Sequence, residues 1–560
     1  MSLRTRPAMS LRCAAWLLLA VRCPAMVPAD ASLAGLLSLP VTGASLETEA
    51  MVLPEAFVHT GDPEPWVMDW KDLTYWISDH KSLDACEVSR LLLPVVLWLV
   101  LGSLAVHGLA YLFAPNGGNE AILAMSVFAV FVENLLYSCV FVDSLDFASS
   151  VFGDQSASGT IIGIHKMGTG IGTLLVFLLF TGVPNLWQSQ GYNIFVGAFA
   201  VQVVAAAAFG SLSMLHVYTE TGGNGYFAAI YASRWLQGLA GGVQVACGLE
   251  QSAFLKTGLQ RSIQNTRFYL GGCLGMGFGP LLSSLTTAAA HYVKCREPVG
   301  YETTFAVCIT IPLIQLPALW RLPKTMELEG EGQALATNQK EPADDPTQRY
   351  AVVTLCLVLQ VLRSMSMASF EAALSELLYT EYHWNRRATG VVTAAMMFSM
   401  LPAQIVYERL ALRFSVNRAI RSLLLVALVG SVLTFANDVF SLLMSALIVL
   451  PSLALSSGLI MGTMQIHCLP NSFVFNLTGC TLCSLLFSDF LGRGFGPEMA
   501  RWSIAKGGQH AFGEQQLLLS SACVVLYEMV HVCATAKVNG HEKPEKSPPA
   551  IERTESGQSP

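Results

Sequence analysis

Charge is scarce in this sequence. Of 560 residues only 13% are Asp, Glu, Lys or Arg, 53% are hydrophobic, and the mean hydropathy is +0.50. A soluble domain carries about a quarter charged residues, so a water-exposed globular fold of this size is excluded. A basic excess is lacking too: the net charge of −7 is concentrated in the flanks, which removes nucleic acid as a partner. Catalytic constellations are missing. No Walker phosphate loop is present, and the eleven histidines are scattered without an H-x-x-x-H or H-E-x-x-H pattern, so the chain is not expected to be an enzyme. Cys480 and Cys483 form a C-x-x-C, but no second pair or polar setting accompanies them. The fourteen cysteines therefore read as small core residues, and no metal or cofactor is expected.

Long apolar runs are what the chain has instead: Leu91–Phe113, Ala121–Val142, Leu174–Gly182, Ile194–Met214, Leu423–Phe435 and Leu442–Ile460. Several reach the roughly 20 residues that cross a bilayer core as a helix. Open sheets cannot span lipid, so the fold class is all-α and the protein is polytopic, with the bilayer as its solvent.

The runs divide the chain. Residues 1–31 hold a basic stretch, a short apolar segment from Cys13 to Val21 and an Ala29-Asp30-Ala31 site, the pattern of a signal or targeting peptide. Residues 32–89 are expected to form an acidic extramembrane region: eleven acids face two lysines between Val27 and Ser89. An extra helix is expected at 90–113, six helices within 120–321, a polar linker at 322–349, six more helices within 350–536, and a disordered tail at 537–560. Arg409, Arg413 and Arg418, together with Lys256, Arg261 and the linker bases, fall on one side of the alternating count, which the positive-inside rule makes cytosolic. Asn476 of the "NLT" sequon falls at the start of a helix on that side and is expected to be unmodified.

Two stretches repeat. "LGMGFGP" from Leu274 and "LGRGFGP" from Leu491 share six of seven residues at an offset of 217 (491 − 274). "ASGTIIG" from Ala157 and "ATGVVTA" from Ala388 echo each other at 231 (388 − 157). The heptapeptides fall on the fifth helix of each half, as parallel transporter repeats require. A phosphate-binding loop needs free backbone N–H groups between a strand and a helix; inside an apolar helix they are already used. Gly271, Gly275 and Gly279 are spaced by four and line one helix face, as do Gly492 and Gly496. Such a face lets another backbone approach closely, and Pro280 and Pro497 each remove an internal hydrogen bond and favour a bend. Gly168 with Gly172, and Gly238 with Gly242, place the same spacing on helices two and four.

With six plus six helices, a central linker, "SRWLQGLAGG" from Ser233 and "GGCLGMGFGP" from Gly271, the chain resembles the major facilitator superfamily. The resemblance covers residues from about 120 to 536. More loosely it is similar to the SPX-type vacuolar phosphate transporters and their lysosomal relatives, without an SPX domain. The resemblance implies two pseudo-symmetric six-helix bundles around a cavity lined by helices one, four, seven and ten. One departure stands out: the family's basic signature loop after helix two is here "TGVPNLWQSQGYN", without charge.

Ionisable residues deep in a membrane helix cost several kcal/mol unless paired or wetted. Glu133 lies mid-helix on helix one beside Asn134, His165 and Lys166 on helix two, Arg234 on helix four, and Arg363 on helix seven with Glu371 and Glu376 further along. By the resemblance Glu133, Arg234 and Arg363 converge on the cavity. Arg363 is the expected contact for an anionic solute, since guanidinium holds carboxylate or phosphate bidentately, and Glu133 the expected proton carrier. The plainer reading is that Lys166 and Arg234 only neutralise Glu133. Asp489 and Arg493, four apart, are expected to pair with each other. Together these features point to a secondary transporter that moves a small polar solute, with anionic character and H+ coupling as the finer expectations, in the plasma membrane or an endomembrane such as the vacuole. The alternative is a non-transporting receptor or scaffold of the same fold.

Overall fold

A computed structural model of the chain describes residues 119–153, 157–182, 186–219, 223–253, 258–292, 346–404, 416–469 and 474–535, with single positions 155 and 472. The expected targeting peptide, acidic region, extra helix, sixth helix, most of the linker and the tail lie outside them. Every regular element among the described residues is helical: α1 (Asn119–Ser138), α2 (Ser144–Phe152), α3 (Ala157–Gly182), α4 (Leu186–Thr219), α5 (Asn224–Ala253) and α6 (Gly258–Tyr292) in the first half. In the second half come α7 (Pro346–Thr380), α8 (Arg386–Phe398), α9 (Val416–Val432), α10 (Val439–Ile466), α11 (Leu477–Phe487) and α12 (Gly494–Thr535), with a π-helical turn, Ser488–Arg493, joining the last two. Seven helical stretches among the described residues are long and apolar enough to cross a bilayer. The protein is an integral, multi-pass, all-α membrane protein.

Three boundaries differ from the sequence expectation. The first helix, expected to run unbroken, stops at Ser138 and resumes as α2 after a turn that carries Asp143. The linker ends earlier than expected, because Pro346 at a helix N-terminus has no N–H to lose and its φ is already helical. Arg349, assigned to the linker, is a buried residue of α7 that donates to the Cys468 carbonyl at 3.2 Å. Finally, no separate loop precedes the last span. Gly508 takes φ +61°, a left-handed value open to glycine, and the chain folds over at Gly507–Gly508 inside α12. The Gln509 N–H beyond the bend is satisfied by Glu381 Oε1 at 2.8 Å. Asn476 caps α11, accepting from the Gly479 N–H at 2.7 Å.

Within the first half α1 packs on α5 and α6, and α5 on α3 and α4; within the second, α7 packs on α10 and α12, and α9 on α10 and α12. Between the halves α3 meets the π turn and α12, and α6 meets α8. The glycines explain how closely these helices approach. A Cβ on Gly275 would run into the Phe131 carbonyl of α1, and one on Gly279 into Ser138 at the end of α1 and Cys139 just beyond it. A Cβ on Gly492 would meet the Val361 carbonyl at 2.8 Å, and one on Gly496 the Met365 carbonyl at 2.8 Å and Ser369 N at 3.1 Å, all on α7. The α1 and α7 partners correspond at one offset, 230 (361 − 131 and 369 − 139). The second echo joins the same frame: Gly159 of α3 abuts Glu498 and Arg501 of α12, while Gly390 of α8 abuts Pro280 and Ser284 of α6. Subtracting the heptapeptide offset from 501 gives 284 (501 − 217). Both repeats therefore occupy matched surroundings. On α3 and α5, Gly168 and Gly172 face the backbone of Trp235, Leu239 and Val243, and Gly238 and Gly242 face that of His165 and Thr169. Each helix thus turns its glycines onto the backbone of the other, and side chains at these sites would hold the backbones apart.

Candidate functional site

The break after Ser138 exposes the last carbonyls of α1, which need donors from elsewhere. Arg234 of α5 supplies them: its Nη2 donates to the Leu136 and Tyr137 carbonyls at 2.9 and 3.1 Å, and its Nη1 donates to Gln237. Arg234 is fully buried and acts as a cap on α1. It does not meet Glu133 directly.

Glu133 is buried one turn earlier. Its Oε1 accepts from Thr169 Oγ1 at 2.5 Å and Lys166 Nζ at 3.3 Å and lies 2.9 Å from His165 Nε2. The α3 segment that carries these three side chains is the segment whose backbone glycine-bearing α5 approaches. Gly241 of α5 makes the remaining space: a Cβ there would collide with Glu133 Oε2. Among the described residues that oxygen has no hydrogen-bond partner, and neither does His165 Nδ1.

From Glu133 a chain of polar contacts crosses between the halves. Lys166 Nζ also donates to Asn134 Oδ1 at 3.4 Å. The same oxygen accepts from Arg493 Nη1 at 3.2 Å, and Arg493 Nη2 reaches Glu371 Oε1 on α7 at 3.0 Å. Beneath the junction the Tyr137 ring faces both cations, 4.8 Å from Lys166 Nζ and 5.7 Å from the Arg493 guanidinium carbon. Arg493 was expected to pair with Asp489, and it does not. The π turn sets residues five apart, not four, over one another, and Arg493 reaches α7 instead. Asp489 is buried within the field of Lys166 and Arg493, beyond ion-pair distance of either.

Arg363 occupies on α7 the position of Glu133 on α1 (363 − 133 = 230). It is 6% exposed, and its donors go to Gln360 Oε1 at 2.8 Å and the Leu453 carbonyl of α10 at 3.1 Å. Among the described residues no carboxylate lies within the 4.0 Å of an ion pair with it. Glu376 pairs with Arg501 of α12 at 2.7 Å.

Contacts between the halves flank the polar chain on both sides. One turn toward Asn119, Val130, Val245 and Phe268 of the first half form an apolar patch on which Leu485 of α11 packs. Toward the other end, Arg386 of α8 forms an ion pair with Asp146 of α2, Tyr379 donates to Asp146 at 3.3 Å, and Ser375 donates to the Phe141 carbonyl at 3.3 Å. Between the halves at that end lies a cavity of about 470 Å³, lined by Gly153, Gln155, Glu376, Thr380, Glu381 and Arg501 among others.

Of the expected binding residues, the structure thus brings Glu133, Asn134, Lys166 and Glu371 into one chain and places Arg234 and Arg363 beside it on backbone carbonyls. His165 was visible as a membrane charge. Arg493 was misassigned to a local pair, while Thr169, Tyr137 and Gly241 carried no signal in an apolar sequence.

The site is thus a chain of buried and half-buried polar side chains held between two repeated sets of apolar helices. A crystal structure of a D-xylose–proton symporter matches with 13% identity and a TM-score of 0.50, over 72% of this chain and 96% of that one. The inward-open xylose transporter XylE from E. coli matches with 14% identity and a TM-score of 0.51, over 72% and 95%. The chain has the fold of the major facilitator superfamily transporters. No protein-family model matches the sequence, and no curated protein shows significant similarity to it.

Proposed function

We propose that the protein is a secondary transporter whose two six-helix bundles rock about the polar chain, exposing it to each side of the membrane in turn. The observation that carries this reading is the run Glu133–Lys166–Asn134–Arg493–Glu371, buried or half-buried among the helices and crossing from one repeat to the other. A scaffold needs no such run: apolar residues of similar volume stabilise a membrane core as well or better than buried ion pairs, and charges in this position mark solute and ion paths. The glycine contacts of α3 with α12 and of α6 with α8 are the surfaces on which the bundles move, smooth enough to repack.

Glu133 is the proposed proton carrier. Protonation would release Lys166 from Glu133, weakening one link of the chain, and the spare Glu133 oxygen and His165 nitrogen leave room for proton exchange. The same fold carries proton symport in the xylose protein, which supports this reading without deciding the solute. Arg363, with no carboxylate partner among the described residues, is the proposed contact for a negatively charged group on the solute. The receptor alternative gains nothing from these contacts. The test is flux into liposomes containing the purified protein with an imposed pH gradient: solute accumulation that a protonophore abolishes supports the proposal, and a protein that inserts correctly but moves no solute under any gradient overturns it.

A further inference from the structure

The side chains around Arg363 narrow the solute further, on the reading that this chain is a transporter. Two guanidinium groups face this region, and only one is satisfied by an acid: Arg493 has Glu371, whereas Arg363 has a side-chain amide and a backbone carbonyl. What fills the space beside them is sulfur. Met367 Sδ lies 3.9 Å from a nitrogen of each guanidinium, Met276 Sδ lies 3.4 Å from Arg493 Nη2, and the Cys273 thiol and Met400 Sδ are 3.7 Å apart. Met276 and Cys273 belong to α6, Met367 to α7 and Met400 to the helical turn after α8, so both halves contribute. The Tyr269 hydroxyl, hydrogen-bonded to the Cys273 thiol one turn away and within the field of Arg363, is buried and has no oxygen or nitrogen partner among the described residues.

We infer that the solute is an organic monoanion, a carboxylate or sulfonate on an apolar body, with the anionic head on Arg363 and Tyr269 and the body against Met276, Met367 and Met400. Thioethers are polarizable and adaptable, and they pack against aromatic and aliphatic groups. A sugar is the wrong chemistry for this wall: each hydroxyl that enters without a partner costs about 1–3 kcal/mol, and the polar groups here that have no acid partner are one guanidinium and the thiol-bound Tyr269 hydroxyl. Inorganic phosphate, with up to two charges and no apolar body, would leave the sulfur wall unused and one charge uncompensated. The two cations are kept apart in role. Arg493 joins the bundles through Asn134, and Arg363, with no carboxylate on it among the described residues, is left for the anionic head of the solute.

Counterflow into liposomes holding the full-length protein separates these possibilities. The labelled probes are benzenesulfonate, a permanent anion that does not cross lipid unaided, D-xylose and inorganic phosphate. The expected result is saturable benzenesulfonate exchange at least about tenfold above either other probe, lost in Arg363→Gln by about tenfold or more. Met367→Ser should raise the KM for benzenesulfonate about fivefold while changing that for methanesulfonate little, since only the larger anion reaches the sulfur wall. Exchange of xylose or phosphate in place of benzenesulfonate would overturn the assignment and leave the transporter reading standing. A correctly inserted protein that exchanges none of the three would overturn both.

Discussion

Asn134 Oδ1 and Arg493 Nη1 lie 3.2 Å apart, and through this contact the polar chain passes from one repeat to the other. Asn134 is shared: Lys166 approaches the same oxygen from the first half. At this contact a neutral amide between two cations joins the halves without an ion pair. That arrangement suits a contact that must form and release.

Removing one partner of a buried ion pair is far more damaging than removing both, by about 3–5 kcal/mol against near neutrality. Arg493→Met should therefore lower the melting temperature of the purified protein sharply, because Glu371 is left buried and unpaired. Adding Glu371→Gln to Arg493→Met should recover most of the loss. Equal melting temperatures for the single and double variants would show that the pair seen at 3.0 Å does not hold the fold.

The glycine contacts predict a pattern of tolerance. Gly275→Ala and Gly492→Ala should each destabilise by about 1–3 kcal/mol, since a Cβ at either site meets backbone or side-chain atoms of the neighbouring helix. Gly458→Ala and Gly462→Ala on α10, where nothing lies within 4 Å, should be neutral or slightly stabilising. Gly275→Leu should block transport outright. Equal tolerance at all four glycines would remove the close-packing account.

Much of this frame is legible in the sequence, and the reason is physical. Glycines spaced by four in an apolar helix have few other uses, so Gly271, Gly275 and Gly279 announce a close approach, and charges such as Glu133 and Lys166 stand out where burial is costly. The partner of Arg493 was not legible, because it depends on a π turn that leaves no mark in composition. Nor was the use of Arg234, which answers a break in α1 that the continuous apolar run from Ala121 to Val142 conceals. Gly241 reads as one more glycine until Glu133 Oε2 is seen beside it.

If Glu133 carries the coupling proton, Glu133→Gln should retain solute exchange at equal concentrations while losing accumulation driven by a pH gradient. Gly241→Ala should impair the same step, since a methyl group there displaces the carboxylate. Proton-driven accumulation at the wild-type level in Glu133→Gln would assign coupling to another group.

Asp146 and Arg386 join the halves at the end of α1 opposite Asn119, both about a quarter exposed. An exposed pair of this kind is worth about 0–1 kcal/mol, enough to shift a balanced conformational equilibrium up to about fivefold. Asp146→Asn should open that end more often, read as faster labelling of a cysteine placed at Gln155. Exchanging the charges, Asp146→Arg with Arg386→Asp, should restore the slower rate, and unchanged labelling in the single variant would show that the pair does not act as a latch.

The most direct test of alternating access is a pair of distance measurements by spin labelling in lipid. Labels at Gln155 and Ala505 span the halves at the α2 end, and labels at Leu179 and Val474 span them near the Asn119 end. The account predicts two distance populations for each pair, changing in opposite senses when Glu133 is neutralised or the pH is lowered. A single unchanging distance at both ends, in protein that still moves its solute, would contradict it.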